Sequence, residues 1–427
     1  ILGIPLIITP ILWFFFIPIY ARLRVSSGYQ YLRLRFGVGV QRVASLLYCG
    51  YALGWMGAML YAIALTLQSV MDLSPTQYFW TLIALGAFAT AYTAVGGLRA
   101  VVWTDVLQAA TLGGAVIVVL LLAVSRIDGG WSGLWEIGSR QGHFRLFHLE
   151  SNPLAIENFT ADNSVYTAAA FVFFMYLPGY TVAQNMIQRY VCAGGVRQGR
   201  GVALLSGLVN ATLGFLFLLV GVALFVFYTQ PGGMGLPGLE REDQILPYFV
   251  STQAAGIGLV GLLLAGLFAA AMSTIDSGIN GVASVVVYDW LDGRQLPLWT
   301  SRTLTVALGI LVILAALLAP QLGNNVINII NTIAGTLLGG LMAVFLLGIF
   351  VPRANQAGVL IGLSVGLLVA ERFLVNYGQC TVDVNAGERE LVVDGGQSLL
   401  SGLMGEEIFI PSACGGQGSC GYCKIRV

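Results

Sequence analysis

The chain has 427 residues, 57% of them hydrophobic and 9% charged, with a formal net charge of zero. A soluble domain carries about 25% charged residues, so this composition excludes an ordinary soluble enzyme and specifies a polytopic protein of the lipid bilayer. Balanced charge without a basic run excludes nucleic acid as a partner.

A spanning helix needs about 20 apolar residues. Ten stretches qualify, near 1–20, 43–69, 78–96, 103–125, 164–187, 202–228, 256–288, 303–320, 327–350 and 357–374. Residue 1 is Ile, already inside the first apolar run, so the sequence reads as part of a longer reading frame. The 55 glycines suit close helix packing in lipid. Arginines gather in alternate connections: Arg22, Arg24, Arg33, Arg35 and Arg42 after the first span, Arg189, Arg197 and Arg200 after the fifth, Arg294 and Arg302 after the seventh. Arg99 and Arg353 add to the same side, which the positive-inside rule makes cytoplasmic. The expectation is a multi-pass protein of a bacterial inner membrane.

Cys49 and Cys192, in or beside membrane helices, read as small packing residues. His143 and His148, in the longest external loop (126–163), lack further ligands and read as surface residues. In the fifth span, Pro178-Gly179 gives a physical reason for a break, because proline removes a donor and glycine tolerates unusual dihedrals.

The seventh span turns polar halfway along. Ser273, Asp276, Ser277 and Asn280 fall at i, i+3, i+4 and i+7, one helical face, with Thr274 beside them. Polar groups at membrane depth are costly and face a bundle interior or a watery cavity. Two adjacent hydroxyls near free carbonyls make a hard oxygen site suited to Na⁺. The alternative is that both hydroxyls bond back to carbonyls one turn earlier or join helices. Asp276 weighs against that as a complete account, since a buried carboxylate needs a partner.

Near residue 375 the character changes to soluble and β-rich, giving three expected regions: 1–372 in the membrane, a junction at 373–379, and a module at 380–427. Two short strands joined at Asn385-Ala386-Gly387 precede a short helix at 397–405. Cys414, Cys420 and Cys423, with small glycines between them, have the form of a plant-like [2Fe–2S] loop, although the first gap holds five residues where the plant type has four. Three outcomes stay open: an apo loop, a zinc site completed by Cys380, or a cluster completed by residues beyond this sequence.

Several stretches resemble the sodium:solute symporter family. They are Gly96-Gly97-Leu98 with Ala100-Val101-Val102-Trp103-Thr104-Asp105 and Gln108, Gln184-Asn185 with Gln188-Arg189-Tyr190, the 261–280 helix, and Tyr29, Tyr31-Leu32 with Leu34-Arg35-Phe36-Gly37. The resemblance implies an all-α, LeuT-like bundle of two inverted five-helix repeats with solute and ion at the midplane, and no enzymatic activity. It implies that Ser273, Thr274 and the Ala270 carbonyl bind the coupling Na⁺ and that Asp105 passes it toward the cytoplasm. Asp105 as a helix cap is the alternative. The fifth span corresponds to a broken helix whose unwound part faces a small solute, with Tyr176, Tyr180, Gln184, Asn185, Asp276 and Asn280 as candidate contacts. Counted against the family, the first core helix is missing, so the chain by itself is expected not to transport.

Residues 380–427 resemble the ferredoxin domain, a partial β-grasp α+β module, of the NADH-oxidising subunit of the sodium-pumping NADH:quinone reductase. That resemblance implies a [2Fe–2S] cofactor with a fourth ligand further on. An outward-running tenth span would leave this module outside, whereas the reductase cluster works inside. The competing functions are therefore a membrane-anchored electron-transfer protein, or a fusion of two truncated genes.

Overall fold

With so few charges, most backbone polar groups must be satisfied inside helices, the economical solution in lipid. The computed structural model describes residues 3–23, 25–71, 73–140, 142–144, 165–230, 245–253, 258–322, 326–370, 379–384 and 389–394. Helix α1 (Ile4–Leu23) contains two π-turns, Ile4–Ile8 and Leu12–Phe16. A short α2 (Gly28–Phe36) follows, capped by the Ser27 hydroxyl, which accepts from the Tyr29 N–H. Then come α3 (Val38–Met71), α4 (Pro75–Ser125) and the surface helix α5 (Gly130–Arg140). The broken segment consists of α6 (165–181) and α7 (Gln184–Cys192). The bundle continues through α8 (Val196–Thr229), α9 (Ile245–Gln253), α10 (Leu259–Val285) with a π-turn at Val286–Trp290, α11 (Leu298–Leu318), α12 (Val326–Phe350) and α13 (Gln356–Ala370).

Eight helices among the described residues are long and apolar enough to cross a membrane, against ten expected. The other two are shorter apolar helices, Ala168–Thr181 and Gln356–Val369. The first of these is short because the fifth span breaks. The expected connection between the third and fourth spans is also absent: Pro75–Gly96 and Trp103–Ser125 lie in one helical run of 51 residues. Gly96-Gly97 lowers helix propensity but does not forbid helix. A straight helix of that length would measure about 77 Å, over twice the ~30 Å hydrocarbon core.

Two large buried clusters, with a small third one at Ala58, Ala319, Ile329 and Ile333, hold the bundle. The larger joins α1, α2, α3, α6, α7, α10, α11 and α12 around Tyr20, Tyr29, Tyr48, Met56, Ile279 and Phe345. The smaller joins the end of α4 to α5, α8 and α9 around Leu134, Phe227 and Phe249. Helix approach is close where glycine permits it. A Cβ on Gly57 of α3 would come within 2.8 Å of the Ala315 backbone in α11. A Cβ on Gly309 of α11 would strike the Thr90 side chain of α4.

Three of the arginine-bearing connections meet, those after the first, seventh and ninth spans. Arg33 pairs with Asp292 at 2.9 Å, and Arg35 Nη2 donates to the carbonyls of Val351 and Pro352 at 2.9 and 2.8 Å. Cys49 is half-buried, but Cys192 is exposed at the end of α7, not packed as expected. His143 is exposed, its ring against Phe225 with centroids 4.2 Å apart. Beyond the bundle, β1 (Gln379–Val384) and β2 (Arg389–Asp394) pair antiparallel, from Gln379 opposite Asp394 to Val384 opposite Arg389. These are the two expected strands. The intervening turn, the 397–405 helix, His148, Cys414, Cys420 and Cys423 lie outside the described residues.

Candidate functional site

A cavity of about 540 Å³ opens among α3, α4, α6, α7, α8, α10 and α12. Its aromatic lining comes from Tyr48, Tyr51, Trp55, Tyr176 and Tyr180. Polar lining comes from Asp105, Gln108, Asn185, Arg189, Ser273, Thr274 and Ser277, among others.

The hydroxyls of Ser273 and Thr274 both donate to the Ala270 carbonyl, at 2.9 and 3.0 Å. Both hydroxyls therefore bond back, as the alternative reading holds. Yet all three residues also line the cavity. A hydroxyl that hands its proton to a carbonyl keeps its lone pairs, so the arrangement presents oxygen acceptors without an obligatory donor.

Asp105 lies inside α4, far from either end, so it does not cap a helix. Its Oδ2 accepts from Arg189 Nη2 at 3.1 Å and from Ser277 Oγ at 3.3 Å, while Arg189 Nη2 also donates to Ser277 Oγ at 3.0 Å. Asp105 Oδ1, Gln108 Oε1 and Asn185 Oδ1 are buried with no protein partner among the described residues. The charged lining thus consists of one carboxylate and one guanidinium, already paired, beside three free acceptor oxygens.

The break in the fifth span falls at Val182-Ala183, four residues beyond Pro178. Pro178 lies within the helical run of α6, so its missing N–H removes a bond from the last turns before the break. A π-turn at Val172–Tyr176 precedes it. The carbonyls freed by the break are met by tyrosines. Tyr190 donates to Tyr180 O at 3.2 Å, Tyr20 to Thr181 O at 2.7 Å and Tyr29 to Val182 O at 2.9 Å. Burial pushes the Tyr29 and Tyr190 hydroxyls above the ordinary phenol range, which keeps both as donors.

Of the residues singled out from sequence, Ala270, Ser273, Thr274, Asp105, Tyr176, Tyr180 and Asn185 come together at the cavity. The other three do not line it. Gln184 is fully buried on the far side of α7, where its amide holds the Gly28 N–H and the Ser26 carbonyl, both at 2.9 Å. Asp276 turns toward α4 and accepts from Tyr92 Oη at 2.8 Å. Asn280 donates back to the Asp276 carbonyl at 2.9 Å. The i, i+3, i+4, i+7 set is wider than one cavity wall, so only Ser273 and Ser277 of it reach the opening.

Sequence reasoning passed over Arg189 as a loop charge, and over Gln108, Tyr20, Tyr29, Ser27, Gln41 and Asp289. Asp289 carried a usable signal, an acid at the end of an apolar run. The tyrosines carried none, because a hydroxyl that meets a broken backbone is visible only once the break is placed.

Residues 3–366 match the model of the sodium:solute symporter family, and residues 382–427 match that of a 2Fe-2S iron-sulfur cluster binding domain. The sodium/sialic acid symporter NanT of Aliivibrio fischeri is 29% identical over 84% of this chain and 70% of its own length. The human sodium/iodide cotransporter is 32% identical over 83% of this chain and 55% of its own length, so the chain spans about half of that relative. A solved structure of a Na⁺-coupled sialic acid symporter in a substrate-bound outward-open state superposes with a TM-score of 0.70 at 26% identity, covering 86% of this chain and 75% of that one. This chain therefore belongs to the sodium:solute symporter family, a family of sodium-coupled symporters of small solutes.

Proposed function

We propose that the full-length protein moves a small solute across the membrane by sodium symport, with Na⁺ held by Ser273 Oγ, Thr274 Oγ1 and the Ala270 carbonyl. The observation that carries this reading is the convergence of those three oxygens on one polar cavity. A hard cation takes oxygen ligands in preference to softer donors, and a site inside the bundle replaces part of its hydration shell. Asp105, with one oxygen paired to Arg189 and the other free, is the next acceptor available to an ion leaving that site. Tyr176, Tyr180 and Asn185 are the proposed solute contacts. Gln184, Asp276 and Asn280, the remaining sequence candidates, are assigned supporting roles because none of them lines the cavity and each bonds elsewhere.

In this reading residues 1–372 form a LeuT-like inverted-repeat bundle, 373–379 a junction and 380–427 a separate module. The membrane is a bacterial inner membrane, with the Arg33, Arg35 and Asp292 end in the cytoplasm. The test is uptake of a panel of radiolabelled solutes into proteoliposomes under an inward Na⁺ gradient. Na⁺-driven accumulation of at least one solute, abolished by combining Ser273→Ala with Thr274→Ala, is the expected result. Unchanged Na⁺ dependence in that variant would falsify the assignment.

A second reading attaches to the 2Fe-2S domain match at 382–427. Cys414, Cys420 and Cys423 supply three of the four ligands that such a cluster takes. When bound, the cluster would supply one-electron transfer, consistent with the resemblance to the NADH-oxidising reductase subunit. A visible absorption spectrum of the purified protein decides it: thiolate-to-iron bands between the near ultraviolet and the visible support the domain, and a featureless spectrum refutes it.

A further inference from the structure

Away from the cavity, at the end where Arg33 meets Asp292, three polar side chains are shut off from solvent. Ser27 and Gln41 are 0% exposed and Asp289 is 3% exposed. Ser27 Oγ donates to Asp289 Oδ2 and Gln41 Nε2 to Asp289 Oδ1, both at 2.8 Å. Arg33 is spent on Asp292 at 2.9 Å. A buried carboxylate held by two neutral donors is a poor source of stability, since desolvating a charge is costly. Such groups make better sense as devices that fix register between elements.

The elements fixed here are informative. Asp289 lies in the π-turn that prolongs α10, the helix of Ser273 and Thr274. Ser27 belongs to the turn between α1 and α2, and the residues on either side of it are gripped by Gln184. The Gln184 amide accepts from the Gly28 N–H and donates to the Ser26 carbonyl, both at 2.9 Å. Gln184 opens α7, the helix that carries Asn185 and Arg189 to the cavity. The three-residue turn Ser26–Gly28 is therefore bonded to α7 on one side and to the end of α10 on the other.

We propose that Ser27 is a positioning residue for coupling, and that the Ser26–Gly28 turn ties α10 to α7 so that neither moves alone. This rests on the symport reading above. Without the tie, α10 could rearrange with Na⁺ bound while α7 stayed behind, and ion passage would no longer require solute.

The test uses the full-length protein in proteoliposomes, with radioactive Na⁺ as the probe and no solute added. Ser27→Ala is expected to raise Na⁺ entry several-fold, and Gln184→Met to do the same. The double variant should leak no more than either single, because both cut one linkage. Ser27→Thr, which keeps the hydroxyl, should restore the wild-type level. Unchanged entry in monodisperse single variants overturns the proposal, and so does an additive leak, which would mark two separate lesions. If Ser27→Ala does not fold, Asp289→Asn carries the test. Its amide still accepts from Ser27, and Gln41, whose Oε1 has no partner among the described residues, can turn to accept from the new N–H. Wild-type entry is expected there, and a raised leak overturns the proposal by placing the effect in the charge. The Ser273→Ala, Thr274→Ala variant runs alongside. If the wild type shows no Na⁺-driven solute uptake, the symport reading fails. If only the leak arm fails, this inference fails alone.

Discussion

Tyr20 Oη donates to the carbonyl of Thr181 at 2.7 Å, joining α1 to the last residue of α6 across 161 positions of sequence. Together with Tyr29 and Val182, this contact satisfies backbone that would otherwise be bare in an apolar interior. Tyr20→Phe keeps the ring and strands the carbonyl, at a cost of about 1–3 kcal/mol. Thermal unfolding in detergent should show a lower midpoint for Tyr20→Phe and again for Tyr29→Phe. Unchanged midpoints in both would mean that the break finds its hydrogen bonds elsewhere.

The hydroxyl pair makes a prediction separable from folding. Both side chains are already satisfied by Ala270, so removing them leaves no buried donor stranded. Ser273→Ala and Thr274→Ala should therefore fold normally yet raise the Na⁺ concentration for half-maximal uptake about tenfold each, or about 1.4 kcal/mol. Titration of uptake against NaCl at fixed ionic strength measures this.

Arg189 bonds Asp105 and Ser277 through one nitrogen, at 3.1 and 3.0 Å. Lysine offers a point charge without the planar fork. Because the Arg189 side chain is 44% exposed, the pair contributes little to stability, about 0–1 kcal/mol. Arg189→Lys should thus leave the melting temperature nearly unchanged while lowering the turnover of Na⁺-driven uptake. A large loss of stability would show that the pair holds the fold together.

Close approach at Gly309 predicts a compensating pair. A Cβ there would collide with Thr90, whose hydroxyl bonds the Gly86 carbonyl at 2.7 Å. Gly309→Ala should destabilise by about 1–3 kcal/mol through overpacking, and adding Thr90→Ala should recover part of it, because the Cβ left at position 90 still lies 2.7 Å away. If the second change brings nothing back, the two helices do not meet as described.

How much of this was legible beforehand differs from element to element. Helix α10 with Ser273 and Thr274 could be read directly, because a polar patch inside an apolar span has few explanations. The break was half legible. Pro178 and Gly179 pointed to the right helix, but the chain opens at Val182-Ala183, where tyrosines from α1, α2 and α7 can reach the carbonyls. Gln184 shows the limit most clearly. Its amide looked like a solute contact one residue from Asn185, yet adjacent helical residues face different ways, and its partners lie 156 and 158 positions away. Long-range partners of that kind leave no trace in periodicity. The run through Gly96-Gly97 was missed for a simpler reason: two glycines permit a turn without requiring one.

The segment Leu177–Thr181 has a widened π-turn at one end and an extended residue, Ala183, just past the other. The pieces on either side are short, Val165–Phe171 with its π-turn before and Gln184–Cys192 after, and three tyrosines pin the carbonyls at the break. Tyr180 rides on that segment and forms part of the cavity wall. A change in the chamber's cross-section at Tyr180 therefore has to release the Tyr190 hydroxyl from the Tyr180 carbonyl.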